Sequence, residues 1–331
     1  MSNIPIGTSM SISVIIATKD RAEPLRRCIT SLLRQKRLPD ELVVIDASTN
    51  EDVERMVKSL DGDSRIIYVR QKKGGLPSAR NLGVRKCSGD IAVFLDDDVV
   101  LDPLYLEQIV AGYAGDHDLR MGGMTGVVVK DKRAHSNLER FMHFIRVLFF
   151  WDSLKDGRVT CIGMLSGLPG NCSYVEALYG HNMSFRREIF SEFEFDEGLE
   201  IYPLAMGEDI DFSYRVGRKY LLKVNPRAKI VHGGTSREDY KFTPEFYQAS
   251  STMFVRNFYS IMCKNIGRSL SNKVAFLWSV LGLLFGRIMF YLLYRAEEKK
   301  AGLRGVLRGL GLILSGTQIY RLETGMSRET T

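Results

Sequence analysis

Hydrophobic and polar positions along the first 130 residues switch back and forth between a strand period and a helix period. Residues 11–17 are apolar and rich in β-branched side chains, which predicts a buried strand. Residues 22–35 place Leu25, Cys28, Ile29, Leu32 and Leu33 at helical spacing. A second strand is expected over 41–45, ending at Asp46. Asn50 is placed to cap a helix running to residue 60, and 65–70 read as a third strand. Pro77 opens a short helix to residue 86, 91–95 make a fourth strand, and 103–113 another helix. This alternation predicts an α/β fold whose sheet is mostly parallel and flanked by helices on both faces. Ligands of such sheets sit beyond the carboxyl ends of the strands. Asp20, Asp46 and the run Asp96, Asp97, Asp98 fall at or just past those ends, so spacing alone gathers five carboxylates on one rim.

The pattern then loosens. Residues 122–129 read as a glycine-bounded strand, 137–151 as an aromatic helix over the sheet, and 159–179 as a loop region rich in Gly, Ser and Cys. A helix over 207–219 would turn Ile210, Tyr214 and Val216 inward, and short strands are expected at 221–224 and 228–231. Beyond residue 240 the composition shifts. Residues 242–260 are aromatic and helical, and 274–294 are apolar, with Arg287 the one charged residue. That stretch has the length of a bilayer-crossing helix, about 20 residues. An arginine past its midpoint speaks against a span, so spanning and lying in the interface both stay open. Residues 303–319 form a second amphipathic candidate, weakened by its glycines, and the tail from 324 is expected to fray. The division that follows is an N-terminal tail (1–10), a catalytic α/β domain (11–240) and a basic, apolar helical region (241–331).

Charge changes the picture in one place. The 331-residue chain carries a net +7, which points to an anionic partner. Residues 255–310 hold ten Lys and Arg against two Glu, enough to supply the whole surplus. Those cations flank an apolar helix and are not interleaved with aromatics on a folded face. Nucleic acid is therefore excluded as the partner, and an anionic membrane surface is favoured. Five scattered cysteines with no CxxC pair read as reduced thiols, and residues 1–11 carry no secretory signal pattern. Both place the chain on the cytoplasmic side, peripheral to the cell membrane or anchored by a single span.

The chemistry concentrates in a few short segments. Strand alternation puts Asp96 and Asp98 on one face and Asp97 on the other. Two carboxylates on one face beside open space suit a hard divalent cation that keeps positions free for phosphate. An acidic helix start at Asp102-Pro103 is the plainer explanation, but one capping residue would serve there. In Gly207-Glu208-Asp209-Ile210-Asp211, helical spacing splits the carboxylates around the axis. Glu208 or Asp209, at the helix start, is placed to act as a general base, which must reach an acceptor hydroxyl and be ionised at working pH. His181 and Asn182 read as a pocket wall, and His232 closes a strand before two glycines. The turn Lys72-Lys73-Gly74-Gly75 feeds a helix N-terminus and could cradle phosphate. No Walker A or GxGxxG pattern is present, which disfavours ATP hydrolysis by a P-loop and hydride transfer.

Taken in order, the segments 14–21, 41–46, 78–83, 89–98, 180–186 and 207–211 resemble the family 2 glycosyltransferases of the GT-A fold, over about residues 10 to 235. The resemblance implies an inverting transfer of a single sugar from a nucleotide-diphosphate sugar with Mg²⁺ or Mn²⁺. It assigns Thr18, Asp20, Arg21, Asp46 and Arg80 to the nucleotide, and Asp96 and Asp97 to the nucleotide sugar. Asp98, with Asp96 and His232, would hold the metal. The base falls on Asp209 with Glu208 beside it, and His181 and Asn182 line the donor and acceptor pocket. UDP is the commonest nucleotide in the family. No Gln-x-x-Arg-Trp follows the base, so a processive polysaccharide synthase is not expected. A glycan or lipid-linked acceptor at the membrane fits the basic apolar C-terminus. The rival readings are a membrane-anchored pseudo-transferase that binds nucleotide sugar without turning it over, and a sugar nucleotidyltransferase.

Overall fold

The computed structural model describes residues 10–60, 65–116, 118–129, 137–201, 204–233, 243–294 and 297–315. Its amino-terminal part runs β1 (Ile12–Thr18), α1 (Ala22–Leu33), β2 (Glu41–Asp46), α2 (Asp52–Lys58), β3 (Ile66–Arg70), α3 (Leu76–Lys86), β4 (Ile91–Asp96), β5 (Val99–Leu101) and α4 (Tyr105–Ala114). Then follow β6 (Met121–Val128), α5 (Asn137–Leu148), β7 (Ser173–Val175), β8 (Asn182–Arg186), a small hairpin β9 (Glu200–Ile201) and β10 (Leu204–Ala205), α6 (Glu208–Gly217) and β11 (Leu221–His232). Three helices close the described chain: α7 (Pro244–Ile261), α8 (Leu270–Tyr294) and α9 (Glu297–Leu314). The expected tail over 1–9, residues 316–319 of the second amphipathic stretch and the end from 324 lie outside the described residues.

The main sheet has the order β3-β2-β1-β4-β8-β6-β11-β5, with β7 beside β11. Its first four strands are parallel, as the alternating pattern predicts. The other half is mixed: β8 runs antiparallel to both β4 and β6, and β5 and β7 run antiparallel to β11. Periodicity reads a strand but not its direction. The expected short strands at 221–224 and 228–231 are one strand, β11, whose register slips between Val224 and Lys229. Pro226 lies in that irregularity, where no ladder N–H is required.

Successive side chains of a strand face opposite ways, and the core divides accordingly. Val14 and Ile16 of β1 pack with Leu25, Ile29 and Leu32 of α1 and Ile109 of α4. Ile15, Val43, Ile45 and Phe94 pack on the other face with Ala79 of α3 and Phe212 of α6. Gly83 lets α3 sit close on β1, because a Cβ there would lie 2.4 Å from Ile15 Cγ2. A third cluster joins Ile210 of α6 to Val255 and Phe258 of α7, Phe276 and Val280 of α8 and Val306 of α9. The carboxyl-terminal helices therefore share a core with the α/β half. Helix α7 starts at the cap Thr243, whose side chain accepts from Phe246 N–H, and runs into a π-helical turn over Met262–Ile266.

Candidate active site

Strand register builds the site. Thr18 stands opposite Asp46 on one side, and its neighbour Ala17 stands opposite Asp96 on the other. The ends of β1, β2 and β4 thus form one rim. Next, β8 pairs with β4 so that Leu95 faces Asn182, and Asp96 N–H donates to the His181 carbonyl. Finally β5, which begins at Val99, pairs with the end of β11 in the register that sets His232 opposite Val99. A histidine 134 positions from Asp98 in sequence therefore arrives beside it, and Gly233 N–H donates to the Asp98 carbonyl.

The three aspartates divide as expected, although β4 ends at Asp96 and the division arises in the turn that holds Asp97 and Asp98. His232 Nε2 lies 3.1 Å from Asp98 Oδ1 and 3.9 Å from Asp96 Oδ2. Asp97 turns the other way. It accepts from the Thr18 hydroxyl at 2.7 Å and pairs with Arg21, whose other guanidinium nitrogen holds Asp98 Oδ2 at 3.0 Å. Burial pushes the Asp97 carboxyl up to about 7 despite Arg21 and Thr18. Burial also raises Asp96, with Arg80 pulling the other way. Asp98 goes down: burial opposes ionisation, but His232 and Arg21 outweigh it. The close contact with Asp98 raises His232 against the effect of burial.

Among the described residues, Asp96, Asp98 and His232 gather closely enough to hold a metal ion, with their ligand atoms within 4.8 Å of one another. Asp98 Oδ1 is buried and lacks an aligned hydrogen bond. Two carboxylate oxygens and an imidazole nitrogen are a donor set that suits Mn²⁺ or Mg²⁺. The residues present fit such an ion.

The second acidic group is separated around its helix, also as spacing requires. Glu208 is buried and pairs with Arg80 at 2.7 Å. Burial and the adjacent Asp209 push the Glu208 carboxyl up, with Arg80 pulling it back. Asp209 Oδ2 accepts from Gly180 N–H at 2.7 Å and its Oδ1 from Ile210 N–H at 2.8 Å. Asp211 instead faces Arg215, Lys264 and Asn265, away from the rim. Arg80 joins the two acidic groups, because its Nη2 is also 4.0 Å from Asp96 Oδ1. Gly180 makes room for this: a Cβ there would stand 2.4 Å from Arg80 Nη2 and 3.2 Å from Asp209 Oδ2. His181 stacks between Tyr179 and His232, with ring centroids 5.9 and 5.2 Å away. Burial, reinforced by His232, lowers its pKa to about 4, so it is a neutral wall of the site. Asn182 is fully buried beside Thr125, and its amide nitrogen has no hydrogen-bond partner among the described residues.

Asp46 and Asp20 occupy the far end of the rim. Asp46 is fully buried and receives Tyr68 Oη at 2.7 Å, Arg70 Nη1 at 2.9 Å and Ser48 N–H at 2.8 Å. Asp20, in a left-handed turn at φ 55°, accepts from Thr49 N–H and Thr49 Oγ1. The pattern missed Tyr68 and Arg70, although the register of Asp46 opposite Arg70 accounts for them. It also missed Glu200. That carboxylate accepts from Gly75 N–H at 2.8 Å and Ser78 N–H at 2.7 Å, and so takes the seat at the start of α3 where phosphate was expected.

Residues 13–168 match the family model described as glycosyl transferase family 2. A glucosyl-dolichyl phosphate glucuronosyltransferase of Haloferax volcanii is 28% identical over 186 residues, 55% of each chain. A validoxylamine A glucosyltransferase of Streptomyces hygroscopicus subsp. limoneus is 35% identical over 118 residues, covering 34% of this chain and 25% of that one. The chain thus spans about half or less of the length of these curated relatives. In fold it is similar to a mannosyltransferase from Pyrobaculum calidifontis solved with GDP-Man and Mn²⁺, at TM-score 0.55 and 15% identity over 94% of this chain and 89% of that one. GalNAc-T7, solved with UDP, GalNAc and Mn²⁺, gives TM-score 0.52 at 18% identity over 76% of this chain and 50% of that one.

Proposed function

We propose that the chain, whose residues 13–168 match the glycosyl transferase family 2 model, is an inverting enzyme of that family that moves one sugar from a nucleotide-diphosphate donor to a hydroxyl of a lipid-linked or surface-glycan acceptor. The observation that carries this reading is the juxtaposition of two acidic sets through Arg80. One is the cluster Asp96, Asp98 and His232, and the other is Asp209 on its backbone seat. The first would hold Mg²⁺ or Mn²⁺, and the ion, when bound, offsets the negative charge that grows on the departing diphosphate.

The residues divide the remaining work. Asp209 takes the proton of the attacking hydroxyl, with Gly180 N–H and Ile210 N–H fixing the carboxylate. Arg80 presents positive charge between Glu208 and Asp96, where the donor phosphates would lie. Asp46, ringed by Tyr68, Arg70 and Ser48, and Asp20 at the next turn supply acceptors at the nucleobase end. One carboxylate then acts at the reacting carbon, in contrast to the carboxylate pair of a glycosidase. UDP is the nucleotide the family favours. The apolar helix α8 and the basic surplus around it support action at the cytoplasmic face of a membrane.

The test is donor turnover with Mn²⁺ across a panel of sugar nucleotides, comparing wild type with Asp209→Asn. Loss of turnover of at least about a hundredfold, with the Mn²⁺-dependent thermal stabilisation by donor retained, supports the assignment. Unchanged turnover would remove Asp209 as the base. Donor binding without turnover in the wild type would leave a binding protein.

A further inference from the structure

We propose that α5 and α8 together form one in-plane membrane face that seats on an anionic bilayer, so that the chain docks on the membrane surface and does not cross it. The proposal deepens the membrane contact proposed above and does not depend on the transferase chemistry.

Leu270, Val274, Leu277, Leu281, Phe285 and Leu292 follow the helical repeat along α8, and each is at least 56% exposed. Helix α5, more than 120 positions earlier, presents Phe141, Phe144 and Leu148 in the same spacing, each at least 42% exposed. The two helices are locked together. The Trp278 indole N–H donates to the Leu148 carbonyl at 2.9 Å, and the Trp151 indole N–H donates to the Ser279 hydroxyl at 2.6 Å. Phe149 stacks on both tryptophans, with ring centroids 5.4 and 5.3 Å away, and fits where Gly282 has no Cβ.

The opposite side of α8 is committed to the body of the protein. Phe276 and Val280 are 3% exposed in the cluster that includes Ile210, next to Asp209. Arg287 turns inward over the Tyr247 ring of α7 and against Gly302 of α9. A helix that crosses a bilayer alone meets lipid on all sides. For α8 to span, the core that it shares with α6 and α7 would have to enter the bilayer with it. A helix with one apolar face and one anchored face lies in the interface instead.

Charge identifies the occupant. In sequence, α5 and α8 carry Arg140, His143, Arg146, Lys273 and Arg287 against one acid, Glu139. Asp152 balances His143 and Arg146 at 3.3 and 3.4 Å. Arg140 and Lys273 stay at the margins of the face, and Arg268 sits just ahead of α8. Each such cation near an anionic leaflet adds roughly 1 kcal/mol, which a second copy of this basic chain would not supply.

The experiment is co-sedimentation of the full chain with vesicles of phosphatidylcholine alone or with added phosphatidylglycerol. Binding is expected to the anionic vesicles and to weaken with salt. Phe144→Glu on α5 and Leu281→Glu on α8 should each reduce binding by about tenfold or more, with the melting temperature and the donor-induced thermal shift unchanged. Loss with Leu281→Glu but none with Phe144→Glu would overturn the joint face in favour of a lone helix anchor. Retention on the membrane after alkaline carbonate extraction would overturn the in-plane geometry. A dimer that dissociates on Phe144→Glu, with no vesicle binding in the wild type, would overturn the lipid occupant.

Discussion

Replacing Asn257 tests whether the carboxyl-terminal helices hold the loop that leads into Glu208 and Asp209. Asn257 lies on α7, has no exposed surface, and donates from Nδ2 to the carbonyls of Leu199 at 2.8 Å and Met206 at 3.0 Å. Those carbonyls flank the hairpin β9–β10, which leads through Gly207 into Glu208 and Asp209. One amide therefore staples the base of the hairpin. Its Oδ1 is engaged by Arg256 at 2.8 Å, which fixes the amide's orientation. Removing both donors with Asn257→Ala forfeits two neutral hydrogen bonds at about 1 kcal/mol each and strands two carbonyls, at about 1–3 kcal/mol apiece before water enters the space. The expected loss is about 2–4 kcal/mol in urea unfolding, with faster amide exchange across 199–209 and lower kcat at unchanged donor KM. Asn257→Asp, conservative in shape, should do worse than alanine. It points a carboxylate at two carbonyls in a buried site, and a buried unpaired charge costs several kcal/mol. An aspartate variant more stable than the alanine variant would refute the staple, as would a loss under about 0.5 kcal/mol for alanine.

Three further outcomes follow from single features. Saturating Mn²⁺ at about a hundred times its Kd should stabilise the wild type by about 2.7 kcal/mol. Thermal melting should show this gain lost in Asp98→Asn and His232→Ala and kept in Asp97→Asn, whose side chain faces Thr18 and Arg21. Lys264, 2.8 Å away, holds the Asp196 carboxyl below its ordinary value against the effect of burial. That contribution is present above the unfolded pKa near 4 and vanishes as pH falls through the lower folded value. With both groups about a third exposed, Asp196→Asn should cost about 0.5 kcal/mol at pH 7 and nothing near pH 2 in urea titrations. Gly207 has φ 84°, whereas Gly311 sits in α9 with open space where a Cβ would stand. By urea unfolding, Gly207→Ala should destabilise by about 1–2 kcal/mol and Gly311→Ala should stabilise by about 0.5–1.

The rim was legible because Asp46 and Asp96 each end a strand whose apolar run announces itself. They needed only the α/β rhythm to be placed together, whereas Asp97 and Asp98 are divided by the turn after β4, which the strand period does not describe. His232 could be suspected from its place at a strand end, but its arrival depends on the antiparallel pairing of β5 with β11, which no periodicity encodes. Contacts that use backbone groups leave no trace in residue identity. Gly180 N–H on Asp209 and Glu200 on the start of α3 are of that kind. Asn257 was hidden for a related reason. It sits in an aromatic helix whose pattern speaks only of burial, and its partners are carbonyls 58 and 51 positions away. The 274–294 stretch shows the limit of hydropathy: composition admits a span, whereas the turning of Arg287 onto Tyr247 depends on neighbours from α7 and α9.

The charge balance of the rim ties these parts together. Among the described residues, Asp96, Asp97, Asp98, Glu208 and Asp209 face the guanidiniums of Arg21 and Arg80 and the His232 imidazole. Arg21 is spent on Asp97 and one oxygen of Asp98. Arg80 is spent on Glu208 at 2.7 Å and reaches Asp96 only at 4.0 Å. The negative charge left over falls on Asp96, 4.0 Å from Arg80 and 3.9 Å from His232, and on Asp209, seated on backbone N–H groups. A diphosphate brought to such a rim unaided would meet repulsion of about 4 kcal/mol for each pair of unit charges 4 Å apart in a partly screened site. A divalent cation held by Asp96, Asp98 and His232 would offset that repulsion. The same residues that make the rim alone unfavourable for an anion would make it attractive to one once a divalent cation is bound. That is why the Asp98→Asn variant, although it lowers the negative charge, is expected to bind a nucleotide-diphosphate donor less well in the presence of Mn²⁺. A variant that binds donor better under those conditions would show that the rim handles the phosphates without an ion.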